Sequence, residues 1–291
     1  MKLMLLTLLA IISSNTLVGC STQNFSKKIE TNDVDLLNEE SLMRYNGARI
    51  DVLIGSSGDF IAKAQFACHQ NKFTKGFTIL ETEMHKNKTN PFYWNALGTC
   101  YSLYKELPKA MFYYDLGMEA VALLKDKNKI FAEAILANNI GLIHLNFKRY
   151  TQAFESFKKA STLLPDFFTP QFNIAQLYIE FNDNDKALEI LKKLELKNPN
   201  DIDLLYSLSL IYFRKNDLER SYAAINRIKP NYLNRPDIVG LYAYNLMKKN
   251  RLSEAHDIIE KRLYANEFDQ RNKLLLEEIN QKIKDQVRPD K

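Results

Sequence analysis

One sequence pattern recurs every 34 residues through most of this chain. In the clearest copy, 134–167, small residues stand at unit positions 8 and 20 (Gly141, Ala153), an aromatic one at 24 (Phe157) and a proline at 32 (Pro165). Further copies begin at 168, 202 and 236, and earlier ones at 91 and 57. The copy at 91 carries nine extra residues near 123–131. A period of this length predicts an array of similar structural units.

Each unit predicts two short helices that pack against each other. Small residues at positions 8 and 20 allow the helices to approach closely, large apolar residues fill the space between units, and the proline ends the second helix. One such hairpin cannot bury its own apolar faces, whereas a stack of hairpins can. We therefore predict an all-α solenoid of six helical hairpins over 57–269.

The motif that names a family lies in the second unit. Trp94, Leu97, Gly98 and Tyr101 have the spacing W-x2-L-G-x2-Y. With Ala, Phe, Ala and Pro at positions 20, 24, 27 and 32 of the third unit, this pattern resembles the tetratricopeptide repeat. The resemblance covers about 57–269 and implies a right-handed superhelical solenoid of helix-turn-helix units. We interpret the polar segment 270–291 as a C-terminal capping helix and tail.

The amino-terminal segment indicates export. An apolar stretch at 3–12 is too short to span a bilayer and is typical of a signal peptide, which we predict at 1–19. It is followed by Leu17, Val18, Gly19 and Cys20, which resemble a bacterial lipobox. The resemblance implies cleavage before Cys20 and acylation of its thiol, and several acyl chains hold a protein stably at a membrane.

The position after the lipidated cysteine bears on the choice of membrane. Ser21 stands there, rather than the aspartate that favours retention at the inner membrane in enteric species. The resemblance therefore implies an outer-membrane lipoprotein on the periplasmic face, with the inner membrane left open. The polar residues 20–34 predict a flexible tether. Apolar residues at helical spacing over 35–56 predict an N-terminal capping helix.

Composition and motifs argue against several functions. A formal net charge of +5 over 291 residues is too small for a nucleic-acid-binding surface. The chain has no G-x-S-x-G, phosphate-binding loop or H-E-x-x-H motif. Its four histidines fall in different units, and we find no second ligand at metal-ligand spacing. We expect no enzymatic activity, metal, cofactor or small-molecule substrate.

Two cysteines besides Cys20 lie in the first helices of consecutive units. Cys68 and Cys100 occupy unit positions 12 and 10, so their separation is not fixed by the repeat. We interpret them as small buried apolar residues. A disulfide, which an oxidising compartment permits, is the alternative.

In tetratricopeptide arrays the first helices line a concave groove. Carried over residue by residue, the resemblance implies a peptide-binding groove formed by Asn95, Asn138, Asn139, Leu142, Phe172, Asn173, Gln176, Tyr206, Phe213 and Tyr244.

The chemistry of these groove residues fits an extended peptide. Asn139 and Asn173 share unit position 6, and carboxamides can hydrogen-bond a peptide backbone whatever its side chains are. The alternative is that both asparagines face water. The four aromatic residues are candidate anchors. Packing between helices is their alternative role.

These observations lead to one principal functional hypothesis. We expect a lipid-anchored scaffold that binds a protein of the cell envelope, and six repeats on a lipid anchor resemble the pilotins that assist type IV pilus secretins. An adaptor that recruits peptidoglycan hydrolases or a protease is the second hypothesis, and an enzyme of unknown type the third. The expansion near 123–131 is either a longer helix pair with a charged loop or a partner-specific protrusion.

Overall fold

The computed structural model describes residues 59–125, 128–233, 235, 238–265 and 269–287. The leader, tether and capping helix predicted over 1–56, with Cys20, lie outside the described residues. The described part contains thirteen α-helices, one 3-10 helix and no strand, which confirms the all-α class. None of its helices is both long enough and apolar enough to cross a membrane.

The helices follow one another as hairpins with short connections. Helices α1 and α2, α3 and α4, α5 and α6, α9 and α10, and α11 and α12 pack together as pairs. Their bounds are α1 Asp59–His69, α2 Phe73–Asn87, α3 Pro91–Leu103, α4 Leu107–Leu123, α5 Asn128–Asn146, α6 Tyr150–Leu163, α7 Phe168–Glu180, α8 Asn184–Lys197, α9 Ile202–Arg214, α10 Leu218–Ile225, the 3-10 helix Pro230–Tyr232, α11 Val239–Lys248, α12 Leu252–Ala265 and α13 Gln270–Val287.

The described chain divides into two compact units, the first ending at Leu177 and the second beginning at Tyr178. In the first unit, α3 also packs on α1, and α5 packs on both α3 and α4. In the second, α13 packs on α11 and α12. Each unit therefore has apolar surfaces covered by neighbouring hairpins, as a repeat array requires.

The nine extra residues lengthen two helices rather than forming a long loop. Helix α4 has 17 residues and α5 has 19, whereas α3 and α7 have 13 each. Only 124–127 separate α4 from α5. The position 134 that we predicted as a unit start therefore lies inside α5, and the interpretation as a longer helix pair agrees with the structure.

The turn inside every hairpin uses the same backbone conformation. One residue in each turn has φ between 57° and 68°, and these residues are Asn71, Lys105, Lys148, Asn182, Asn216 and Asn250, all at unit position 15. In the third hairpin the Arg149 N–H donates to His144 O at 2.9 Å and the Lys148 N–H to Leu145 O at 2.9 Å. This pair of bonds ends a helix with a left-handed residue, and the other five turns repeat it.

Close approach of the two helices is visible at two glycines. A Cβ added to Gly98 would lie 2.4 Å from the Tyr114 ring, and one added to Gly141 would lie 2.6 Å from the Phe157 ring. Both glycines stand at unit position 8 and both rings at position 24. The other hairpins have a small residue with a Cβ at position 8 and an aliphatic residue at 24, namely Ala64 with Leu80, Ala175 with Leu191, Ser209 with Ile225, and Ala243 with Ile259.

Cys68 and Cys100 form a disulfide, so our interpretation of them as unbonded apolar residues is wrong. Both are fully buried, and their Cα atoms are 5.3 Å apart. The bond forms because α1 packs directly on α3. This packing places position 12 of the first unit beside position 10 of the second. A Cβ at Gly76 would lie 2.3 Å from Cys68 Sγ, so the glycine leaves room for the bridge. Closing a loop of this length stabilises a fold by about 3–4 kcal/mol.

The left-handed turn residues generate a stability prediction. A lysine at positive φ costs about 1–2 kcal/mol that glycine avoids. Lys148→Gly is therefore expected to raise the free energy of unfolding by about 1 kcal/mol, measured by urea denaturation. The control Lys158→Gly, at an exposed position inside α6, is expected to lower it by about 1 kcal/mol. A loss of stability in both variants would contradict the assigned turn conformation.

Candidate functional site

Four asparagines of the first compact unit form a continuous chain of hydrogen bonds. Asn173 Nδ2 donates to Asn138 Oδ1 at 2.9 Å, Asn138 Nδ2 to Asn139 Oδ1 at 3.2 Å, and Asn139 Nδ2 to Asn95 Oδ1 at 2.7 Å. The chain runs from α7 through α5 to α3. Its side-chain amides therefore connect the first helices of three consecutive hairpins.

The repeat explains why these residues meet. Asn95 and Asn138 occupy unit position 5, while Asn139 and Asn173 occupy position 6. Position 6 of one unit lies beside position 5 of the unit before it, so each contact between hairpins can pair two amides. The third unit has asparagine at both positions, and the bond between Asn138 and Asn139 joins the two contacts.

The amide chain is buried. The four residues are only 1–5% exposed, so the alternative that they face water is wrong. Buried amides must find partners inside the protein, because an unpaired one costs about 1–3 kcal/mol. Each of these three bonds uses one of the two hydrogens on a carboxamide nitrogen. Binding of a peptide backbone by these groups stays a prediction.

The remaining predicted residues of the first unit surround this chain. Phe172 is 2% exposed, and its ring stacks on that of Phe168 with centroids 5.6 Å apart. Leu142 and Gln176 are half-buried, one on α5 and the other on α7. Phe172 thus contributes to packing, which was the alternative role for the aromatic residues.

The second compact unit contains the other three predicted aromatic residues. Tyr206 and Tyr244 are buried, and Phe213 is partly exposed. The Phe213 and Tyr244 rings meet edge to face with centroids 4.9 Å apart, and Lys248 Nζ lies 4.9 Å from the Tyr244 centroid. The contact between the two rings joins α9 to α11. A partner that used Phe213 as an anchor would therefore contact a ring that already packs on Tyr244 and links the two helices.

A repeated contact between a cation and a tyrosine was missed by the sequence analysis. A tyrosine at unit position 11 accepts a cation from position 19 over its ring face, a contact that contributes about 0.5–1 kcal/mol at exposed sites. The three pairs are Tyr101 with Lys109 at 5.5 Å, Tyr178 with Lys186 at 5.3 Å, and Tyr212 with Arg220 at 5.4 Å. The recurring Lys or Arg at position 19 was the signal.

The third unit replaces this pair with His144 and Gln152. Burial lowers the pKa of His144, and Arg149 lowers it further, while Asp115 acts in the opposite direction. Its Nδ1 is buried and has no hydrogen-bond partner among the residues described. A neutral packing role fits these surroundings. Because position 19 of this unit is Gln152 rather than Lys or Arg, it places no positive charge beside His144, which could itself become protonated.

One group on α12 has the residue types of a metal site. His256 Nδ1 lies 3.5 Å from Asp257 Oδ1 and 4.0 Å from Glu260 Oε2. The sequence analysis found no ligand spacing at any histidine and overlooked this one, whose glutamate is one helical turn away. Both carboxylates are exposed. Solvated carboxylates often lie this close on a helix surface without an ion, and we assign no metal to them.

With this geometry established, comparison with known proteins identifies the repeat. A family model described as tetratricopeptide repeat matches residues 145–209. Residues 145–209 of this chain therefore match the tetratricopeptide repeat. The matched segment runs from the end of α5 into α9. A comparison with curated proteins finds no match.

Solved structures share the fold over most of the chain. The pilF protein of Pseudomonas aeruginosa is 13% identical, with a TM-score of 0.61 over 75% of this chain and 96% of that one. The Cut9–Hcn1 hetero-tetramer of the APC/C is 13% identical, with a TM-score of 0.65 over 81% of this chain and 45% of that one. A tetratricopeptide repeat protein of Parabacteroides merdae is 15% identical, with a TM-score of 0.54 over 76% and 82%. Such identities establish a shared fold and nothing finer.

The amide chain generates a prediction about stability. Asn138 both donates and accepts within the chain, so Asn138→Ala leaves Asn173 Nδ2 and Asn139 Oδ1 without those bonds. We expect the free energy of unfolding to fall by about 2–3 kcal/mol. Asn146→Ala, at an exposed position on the same helix, is expected to change it by less than about 0.5 kcal/mol. If Asn138→Ala and Asn146→Ala lowered the free energy of unfolding equally, a structural role for the amide chain would be excluded.

Proposed function

We propose that this tetratricopeptide repeat protein is a non-enzymatic scaffold of the bacterial cell envelope. In this proposal a lipid on Cys20 holds it at the outer membrane, facing the periplasm. The first helices of its hairpins bind an extended segment of an envelope protein. The observation that carries the proposal is the Cys68–Cys100 disulfide, because it bears on the compartment in which the chain folds.

The disulfide favours an oxidising compartment. Thiols in the cytosol are kept reduced, whereas the bacterial periplasm lets disulfides form and persist. Cys68 and Cys100 are fully buried on helices that pack directly, and Gly76 leaves room for the bridge. Export is also what the apolar leader and the lipobox-like residues before Cys20 indicate. The two observations are independent, since one concerns the leader and the other concerns packed helices.

The surface of the first helices supports protein recognition. Of the residues assigned to the groove on α5 and α7, Leu142 and Gln176 are half-buried and reach the surface beside the buried amide chain, and neither is charged. Such a mixed surface suits a peptide backbone and apolar side chains better than a phosphate or nucleic acid. The amide chain sets the spacing of these helices. A bound peptide would contact side chains on these helices, and the amide chain already fixes the positions of the helices.

The proposed client is the secretin machinery of type IV pili. Six repeats on a lipid anchor resemble the pilotins, and the likeness to pilF of Pseudomonas aeruginosa agrees with that resemblance at the level of fold. The lengthened α4 and α5 are specific to this chain's second and third units. They leave the other first helices at 13 residues or fewer, so the proposed groove keeps ordinary repeat dimensions.

The anchor is tested by substitution and labelling in cells. Cys20→Ala is expected to abolish incorporation of a radiolabelled or alkyne fatty acid and to move the protein from the membrane to the soluble fraction. The matched control, Cys68→Ser with Cys100→Ser, removes the other two cysteines and is expected to keep the label on whatever protein remains folded. Unchanged labelling of Cys20→Ala would refute the anchor.

The binding function is tested by crosslinking in intact cells followed by capture of the lipidated protein. The proposal expects a secretin or another envelope protein to be captured, and at least ten-fold less of it with Leu142→Ala and Gln176→Ala combined, because these two half-buried groove residues lie outside the buried amide chain. The exposed Asn146→Ala serves as the control and should leave capture unchanged. Capture that is insensitive to the double substitution would show that the partner binds elsewhere. Capture of peptidoglycan hydrolases alone would overturn the secretin assignment.

A further inference from the structure

The junction between α4 and α5 carries exposed aliphatic and basic side chains together. Leu123 is 62% exposed at the last turn of α4, and Ile130 is 49% exposed in the first turn of α5. Lys125 and Lys129 are also exposed. We call these four residues the hairpin tip. They all belong to the segment in which the nine extra residues of the second unit occur.

The extra residues extend ordered helix rather than loop. Helix α5 is six residues longer than α3 and α7, and α4 is three residues longer than α6 and α8, so at 1.5 Å per residue they extend about 9 Å and about 5 Å further. Phe131, next to Ile130, is buried, so the helix is packed up to its exposed end. The hairpin tip thus lies at the end of a packed helix, and its aliphatic side chains remain about half exposed or more.

The charges of the hairpin tip are available to a partner. Neither Lys125 nor Lys129 makes an ion pair with any other residue in the described chain. The two lysines give the hairpin tip a charge of +2, and the exposed Leu123 and Ile130 lie on either side of them in the sequence.

We infer that the hairpin tip contacts an anionic phospholipid surface. Protein interfaces are depleted in lysine and enriched in aromatic residues, whereas the hairpin tip has lysines and aliphatic groups without an aromatic one. Lysines attract anionic headgroups, and their flexible stems let neighbouring aliphatic groups enter the boundary between headgroups and acyl chains. Two aliphatic side chains and a net charge of +2 provide only weak binding by themselves. The contact orients a protein that another element already keeps near the membrane.

An environment-sensitive probe at the hairpin tip tests this inference. Because Cys68 and Cys100 are bridged, the mature chain with Cys20→Ser and Leu123→Cys has a single free thiol, which is labelled with the fluorophore NBD. The proposal expects a blue shift and at least a two-fold rise in emission with vesicles of 30% phosphatidylglycerol in phosphatidylcholine. Vesicles of phosphatidylcholine alone, or 0.5 M salt, should reduce the response. The same label at Leu196→Cys, at an 86% exposed position on α8, should not respond.

Charge reversal separates the hairpin tip from the overall charge of the protein. Lys125→Glu with Lys129→Glu is expected to weaken sedimentation of the unlabelled chain with the anionic vesicles by at least ten-fold. Lys158→Glu with Lys261→Glu changes the net charge equally at two other exposed lysines and should weaken it by less than two-fold. Equal losses in the two pairs, or no response of the probe at Leu123, would overturn the inference. In the second case the hairpin tip faces a protein. The role in orientation rests on the proposed lipid anchor, but the vesicle assay uses neither the Cys20 lipid nor an envelope partner, so its failure is distinguishable from failure of the proposed function.

Discussion

The close approach of the two helices within each hairpin is the constraint on which the rest of the structure depends. At Gly98 and Gly141 the helix backbone touches an aromatic ring of the partner helix, with no room for a methyl group. Hairpins with an aliphatic residue at position 24 have alanine or serine at position 8 instead. Volume is therefore conserved across the contact, as close packing requires. Equivalent helix spacing in successive hairpins lets them stack, and stacking buries faces that one hairpin cannot cover.

Polar and covalent links between hairpins fix the relative positions of neighbouring helices, which apolar packing alone does not specify. Apolar faces tolerate sliding, whereas a buried amide that loses its partner costs free energy at once. In the first compact unit the amide chain ties α3, α5 and α7, and the disulfide ties α1 to α3. Both devices fix the first helices, which are the elements assigned to partner binding. Rigid first helices reduce the entropy that a partner must remove on binding.

The sequence predicted the helical hairpins because their signal is periodic and depends on residue size. It failed where the outcome depends on which residues of different hairpins meet. Unit positions 5 and 6 were predicted to line a groove, and the sequence did not reveal that Asn138 and Asn139 are buried there and hydrogen-bond to neighbouring hairpins. Cys68 and Cys100 occupy different unit positions, so their proximity followed only from the packing of α1 on α3. The turn residue at position 15 was detectable, since asparagine recurs there in four units.

A double-mutant cycle on Gly141 and Phe157 shows whether position 8 is small because of the residue at position 24. Gly141→Ala places a methyl group against the ring and should lower the free energy of unfolding by about 1–2 kcal/mol, although alanine favours the helix. Phe157→Leu should lower it by about 1–3 kcal/mol through the lost volume. Combined, they reproduce the alanine and leucine pair of the first hairpin. We predict that Gly141→Ala becomes neutral or stabilising when leucine is at 157, a coupling of at least about 1 kcal/mol. Additive losses in the double variant would contradict it.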